Sequence, residues 1–239
     1  MADKVVVRLA TPEDAAKLLP LYAPFVQETA VTFEYEVPEV EEFAGRIRRV
    51  RQDLPWLVCE INGQTAGYSY ASHFRERAAF GWDCEFSIYL HKDFLRAGVG
   101  SALFRCIKEL LTAQGYCRFY SLITYPNPQS VDFHRKNGWQ ELAVYPQCGY
   151  KHGSWHDLLV MQMPLQDPIP GSPQPSMICR RTWCKTCCTG QNKKWKRPIK
   201  SMKNKKTPNA KRWVFLFLTG DPPNRKSAVP FFPIPNRGR

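Results

Sequence analysis

The chain has 239 residues and a formal charge of +13, and that charge is divided unevenly. Residues 1–165 hold 17 Lys and Arg against 19 Asp and Glu, whereas residues 166–239 hold 17 against 2 and carry 11 of the 20 prolines. One domain able to bury a core (1–165) and a basic extension (166–239) are therefore expected, and a membrane-spanning helix is excluded because the longest apolar run, Trp213 to Leu218, is far too short. The start, MADKVVVRL, has no basic stretch followed by an apolar one, so no secretory leader is expected. Cys59, Cys84, Cys106, Cys117 and Cys148 fall at scattered strand or helix positions, which fits buried free thiols in a reducing, cytoplasmic compartment.

In chain order, Lys4 to Leu9 reads as a strand. Thr11, Pro12 and Asp14 then form a helix start, with an apolar stripe of Ala15, Leu18, Leu19 and Tyr22 behind them. Pro38 to Arg51 is a charge-rich amphipathic helix expected to turn Val40, Phe43, Ile47 and Val50 inward. Trp56 to Ile61 and Thr65 to Ala71 flank Asn62-Gly63, a strong hairpin signal. A strand from Trp82 leads to a helix from Gly98, and Arg118 to Tyr125 is a further strand. Ser130 to Lys136 is helical and stops at Asn137-Gly138. Trp139 to Tyr145 and Trp155 to Met163 close the domain as an antiparallel pair. This order predicts an α+β fold: a mixed, mostly antiparallel twisted sheet flanked by helices on both faces.

The segment from Cys84 to Leu111 carries the chemistry. Its strand alternates, with Cys84, Phe86, Ile88 and Leu90 on one face and Glu85, Ser87 and Tyr89 on the other. Gly98 and Gly100 then open a helix whose Val99, Leu103, Ile107, Leu110 and Leu111 fall at helical spacing. Glycines at a helix mouth leave N–H groups bare for an anion, although a glycine pair also serves a plain tight turn. Leu103 stands where a dinucleotide fingerprint needs its third glycine, and no Gly-Lys-Ser/Thr follows. A carboxylate on the strand feeding an anion site suggests acyl transfer from a phosphorylated coenzyme to a nucleophile that must lose a proton.

RLATPEDAAKLL, GVGSALF and the late N-x-x-S-x-x-x-H-x-x-x-G resemble the GCN5-related N-acetyltransferase superfamily. TAVTFEYEVP, LPWLVCEINGQTAGYSYAS, NPQSVDFHRKNGW and GYKHGSWHD resemble its phosphinothricin and methionine-sulfoximine branch, over roughly Val5 to Met163. The resemblance implies acetyl-CoA as donor, a small-molecule primary amine of amino-acid type as acceptor, and a homodimer. It implies that Leu95, Arg96, Ala97, Gly98, Val99, Gly100 and Ser101 cradle the pyrophosphate, with Arg96 supplying charge where family members have Gln or Arg in place of Leu95. Ser87, Ile88 and Tyr89 are implied along the cofactor, and Asn127 and Ser130 on its pantetheine arm. Glu85 matches the catalytic base, and His134 lies where an acid for the departing thiolate is expected. Phe33, Glu34, Arg75 and Arg77 are implied in acceptor binding, with Glu34 facing the ammonium and the arginine pair suited to a carboxylate or phosphinate.

Other readings stay open beside this one. The acceptor could be a different small amine. The Lys/Arg-rich residues 180–212, with Trp183 and Trp195 among them, could bind nucleic acid. No metal is expected, because Gly153 breaks a helical pairing of His152 with His156, and Cys179, Cys184, Cys187 and Cys188 are too crowded for two spaced pairs. Residues 153 onwards are taken as strand, and Trp155 as packed. Strand alternation turns Cys84 away from Glu85, which favours direct attack over a cysteine-bound intermediate. The extension from Asp167 is expected to be disordered.

Overall fold

The computed structural model describes residues 4–167 and Pro173. Expectations for the basic extension, its cysteines and residues 180–212 lie outside the described residues. The elements are β1 (Val5–Leu9), α1 (Ala15–Glu28), α2 (Val40–Asp53), β2 (Trp56–Ile61), β3 (Gln64–His73), β4 (Asp83–Leu90), α3 (Val99–Gln114), β5 (Arg118–Tyr125), α4 (Pro128–Lys136), β6 (Gln140–Lys151) and β7 (Ser154–Pro164). This is the predicted order. No helix among the described residues is long and apolar enough to cross a membrane.

The strands form one seven-stranded sheet in the order β1-β2-β3-β4-β5-β7-β6. Every pairing is antiparallel except β4 with β5, whose ends are joined by the α3 crossover. Strand alternation divides the core between the two faces. Cys84 and Phe86 of β4 pack with Leu103, Phe104, Ile107 and Leu111 of α3, Val131 of α4 and Trp139. On the opposite face, Trp56, Val58 and Tyr68 pack with Leu18, Tyr22 and Val26 of α1 and Phe43 and Ile47 of α2. Glu85, Ser87 and Tyr89 share that second face.

Local signals explain the element ends. Asp14 accepts the Thr11 backbone N–H at 2.8 Å, and its two oxygens take both Arg8 guanidinium nitrogens at 2.6 Å. Asn62 and Gly63 adopt φ of 52° and 81°, the left-handed pair that a two-residue hairpin with matching twist requires. His152 and Gly153 (φ 49° and 75°) make a second such turn, between β6 and β7.

Three expectations need correction. Val40 is 46% exposed because it is the first residue of α2, where the helix has not yet reached the sheet. Trp155 is 60% exposed and meets only the Tyr150 ring among the aromatic contacts, at 5.3 Å. Cys148 is exposed rather than buried, because β6 is the outer strand of the sheet. The hairpin carrying it exposes Leu142, Val144, Tyr145, Tyr150 and Trp155.

Candidate active site

β4 and β5 are paired over three rungs only: Asp83 with Arg118, Cys84 with Phe119, and Glu85 with Tyr120. Beyond Glu85 the strands part. Phe86 to Leu90 continue alongside β3, and Ser121 to Tyr125 alongside β7, with no ladder between them. A wedge-shaped gap opens in the sheet, and its two edges present backbone N–H and C=O groups that lack strand partners. An extended chain bearing amides, such as a pantetheine arm, matches such edges. The side chains of β4 beyond the fork turn away from it. Ile88 and Leu90 pack against α3, Ser87 lies directly across from Tyr70 on β3, and Tyr89 sits edge-on to Tyr22 and Phe25 at ring distances of 5.0 and 5.2 Å. Ser87, Ile88 and Tyr89 therefore offer the gap their main chain.

At the open end lies the α3 N-terminus. Gly98 is its cap at φ 86°, a conformation that only glycine adopts without cost, and it has no side chain to occupy the first-turn donors. Gly100 serves a different purpose. A Cβ there would stand 3.1 Å from the Phe133 ring of α4 and 3.3 Å from Leu90, so glycine lets α3, α4 and β4 converge at the mouth of the gap. Val99 is buried, which leaves its N–H as its contribution to an anion site. Leu95 is 45% exposed, and Arg96, also in the left-handed region at φ 62°, is exposed beside it. This uncapped helix end, with a guanidinium within the same loop, fits a pyrophosphate.

Glu85 sits on the last paired rung before the fork. Burial pushes its carboxyl above the ordinary glutamate value, and the Arg75 guanidinium partly counters that rise. Arg75 lies over the Phe74 ring at 4.3 Å, and Phe74 stacks on Tyr120 at 4.0 Å, the residue directly across from Glu85. On the other side Ser72 is opposite Glu85 and Tyr70 is opposite Ser87. Sequence reasoning missed Tyr70, Ser72, Phe74 and Tyr120. Alternation marks their faces, but only the register brings them beside Glu85.

The remaining predicted residues divide. Asn127 caps α4, its side-chain oxygen accepting the Ser130 N–H at 3.2 Å, which places both at the far edge of the gap. His134 is enclosed at 1% exposure by Phe86, Phe133 and Trp139, and its Nδ1 donates to the Ser130 carbonyl at 2.7 Å. Burial pushes its pKa down to about 4, so near neutral pH the ring is uncharged. Its Nδ1–H is already committed to the Ser130 carbonyl. The Glu34 carboxylate is held by Arg46 through one oxygen at 2.6 Å. Phe33 fills the space over Gly149, where a Cβ would stand 2.4 Å from its ring, and so fastens the α1–α2 loop to the β6–β7 hairpin. Lys151 strengthens that link through its Nζ–H bond to the Thr32 carbonyl at 2.7 Å. Arg77 is exposed at the start of the Ala78–Phe80 turn and is not drawn to Glu85. His152 and His156 donate to the Thr29 and Lys151 carbonyls respectively, and no group of three His, Cys, Asp or Glu among the described residues could hold a metal.

A family model described as Acetyltransferase (GNAT) domain matches residues 7–160. The chain belongs to the GNAT acetyltransferase family. This GNAT domain is 31% identical over 169 residues to phosphinothricin N-acetyltransferase of Streptomyces viridochromogenes, a match covering 71% of the chain and 92% of that protein. It is also 31% identical over 169 residues to the L-methionine sulfoximine/L-methionine sulfone acetyltransferase of Pseudomonas paraeruginosa, covering 70% of the chain and 98% of that protein. Among solved structures, it is similar to a GNAT superfamily phosphinothricin acetyltransferase from Sinorhizobium meliloti in complex with AcCoA. That match has a TM-score of 0.67 and 30% identity, covering 72% of this chain and 94% of that one. The GNAT domain described here is that of an acetyl-CoA-dependent N-acetyltransferase.

Proposed function

We propose that this enzyme acetylates the primary amine of a phosphinothricin- or methionine-sulfoximine-like amino acid by direct attack on the acetyl thioester. The observation that carries this reading is the position of Glu85 at the apex of the β4–β5 fork. A cofactor arm running along the open strand edges would end there, beside a carboxylate whose basicity burial has raised. The backbone of Phe86 to Leu90 would align the arm, and the first turn of α3 would hold the pyrophosphate.

Glu85 takes one proton from the acceptor's ammonium. The freed nitrogen lone pair then bonds to the acetyl carbonyl carbon, the carbon–sulfur bond breaks with the electron pair going to sulfur, and the second proton on the nitrogen passes to that thiolate, giving the amide and free CoA thiol. Neutral His134 is left out of the proton path, and its hydrogen bond to Ser130 instead steadies the start of α4. Arg75, close enough to act on Glu85 and lying over Phe74, would meet the acceptor's carboxylate. The likeness to the two relatives named above supports an acceptor of this kind.

The test is release of CoA thiol from acetyl-CoA by the full chain. Thiol release should depend on added phosphinothricin or methionine sulfoximine and be matched mole for mole by N-acetylated product. Release that ignores both compounds while responding to an unrelated amine would overturn the acceptor class.

A further inference from the structure

A second cavity adjoins Glu85 and is used by nothing above. Between α2 and the sheet lies a cleft of about 230 Å³ walled by Tyr22, Phe43, Trp56, Tyr70 and Ser72, with Arg46 and Arg49 at its helix side. It opens on the Glu85 face. Ser72 is the direct cross-strand partner of Glu85, Tyr70 that of Ser87, and Trp56 that of Tyr70. At the usual strand spacing these walls stand one to two strands, about 5–10 Å, from the base.

The cleft is rich in donors. Trp56 is 2% exposed, yet its indole N–H has no partner, an omission that a buried donor normally avoids. The Tyr70 ring stacks on Trp56 at 4.2 Å and fixes the indole in place. Arg46 is already paired with Glu34 and Glu42. Arg49 lies one turn further along α2 and has no ion-pair partner among the described residues. An apolar floor, an unsatisfied N–H and an uncommitted guanidinium together suit an apolar stem that ends in negatively charged oxygens.

We propose that this cleft is the subsite for the acceptor's side chain, and that it selects amino acids whose side chain ends in an anionic oxyacid such as a phosphinate over those ending in a neutral sulfone. The inference rests on the amine-acetylating reading and narrows its substrate class. The amine lies at Glu85, the α-carboxylate at Arg75, and the distal oxyacid in the cleft near Arg49 and the Trp56 N–H.

The experiment compares phosphinothricin with methionine sulfone on the wild-type chain, Arg49→Ala, Arg49→Lys and Trp56→Phe. Both turnover and calorimetric binding without acetyl-CoA are read. The kcat/KM ratio of phosphinothricin to sulfone should fall by about ten-fold or more in Arg49→Ala, largely return in Arg49→Lys, and fall also in Trp56→Phe, which keeps the ring stack and deletes the N–H. Turnover of both compounds with an unchanged ratio in all variants would overturn the subsite and leave the acetylation reading standing. Arg49-dependent binding of phosphinothricin without acetyl transfer would support the subsite and overturn the acetylation reading. If neither compound binds, both fall.

Discussion

Glu85→Gln is expected to lower turnover at saturating substrates by about 10²–10³-fold and to leave acetyl-CoA affinity unchanged. The amide keeps the shape of the carboxyl and its place on the last β4–β5 rung, so the fork and the α3 donors are undisturbed. What disappears is the capacity to accept the ammonium proton. The pH profile separates this from a mere packing loss. A base works in its ionised form, and burial raises the value at which Glu85 ionises. Activity in the wild-type chain should therefore fall as pH drops through that raised value, which lies above the ordinary glutamate range. The Gln variant should lack this acid limb. Thiol release followed across pH measures both, and an unaltered rate in the variant would mean that another group takes the proton.

The second large effect concerns stability rather than rate. His134 has its pKa pushed from 6.5 down to about 4 by burial among Phe86, Phe133 and Trp139. The unfolded chain, with an ordinary imidazole, binds this proton first on acidification. The native state's advantage is thus complete above about pH 6.5 and drains away as pH falls toward 4. The shift corresponds to about 3 kcal/mol. Denaturant unfolding at a series of pH values should show that loss, and His134→Phe, which suits the aromatic enclosure, should remove its share of the slope. Parallel pH dependences in the two proteins would mean that the imidazole is protonated without penalty.

The parts of this architecture that were legible in the sequence are those set by local pattern. The alternation from Cys84 to Leu90 placed Cys84 and Phe86 under α3 and Glu85 on the opposite face. Asn62-Gly63 and the Gly98 cap could be read because positive φ demands those residue types. The fork was hidden, since parallel pairing depends on where α3 returns the chain and not on any property of β5 itself. Pairings across loops were hidden for the same reason. The Arg46–Glu34 contact joins α2 to the preceding loop, which no local pattern announces. Tertiary packing also overrode local preference. α1 runs on through Pro20 and Pro24 because Leu18, Leu21, Tyr22 and Val26 are buried around them. β6 extends past Pro146 to Lys151 with a broken register, which an outer strand tolerates.

We propose that the thioester arm lies in the β4–β5 fork, held by the α3 N-terminus, with Glu85 at its tip. Calorimetric titration of acetyl-CoA into the full chain, its Glu85→Gln variant and its Gly98→Val variant tests this most directly. The wild-type and Gln proteins should bind alike, and the Gly98 variant, forced out of the left-handed cap, should bind far more weakly. Equal affinity in all three, or no heat with the wild-type protein, would contradict it.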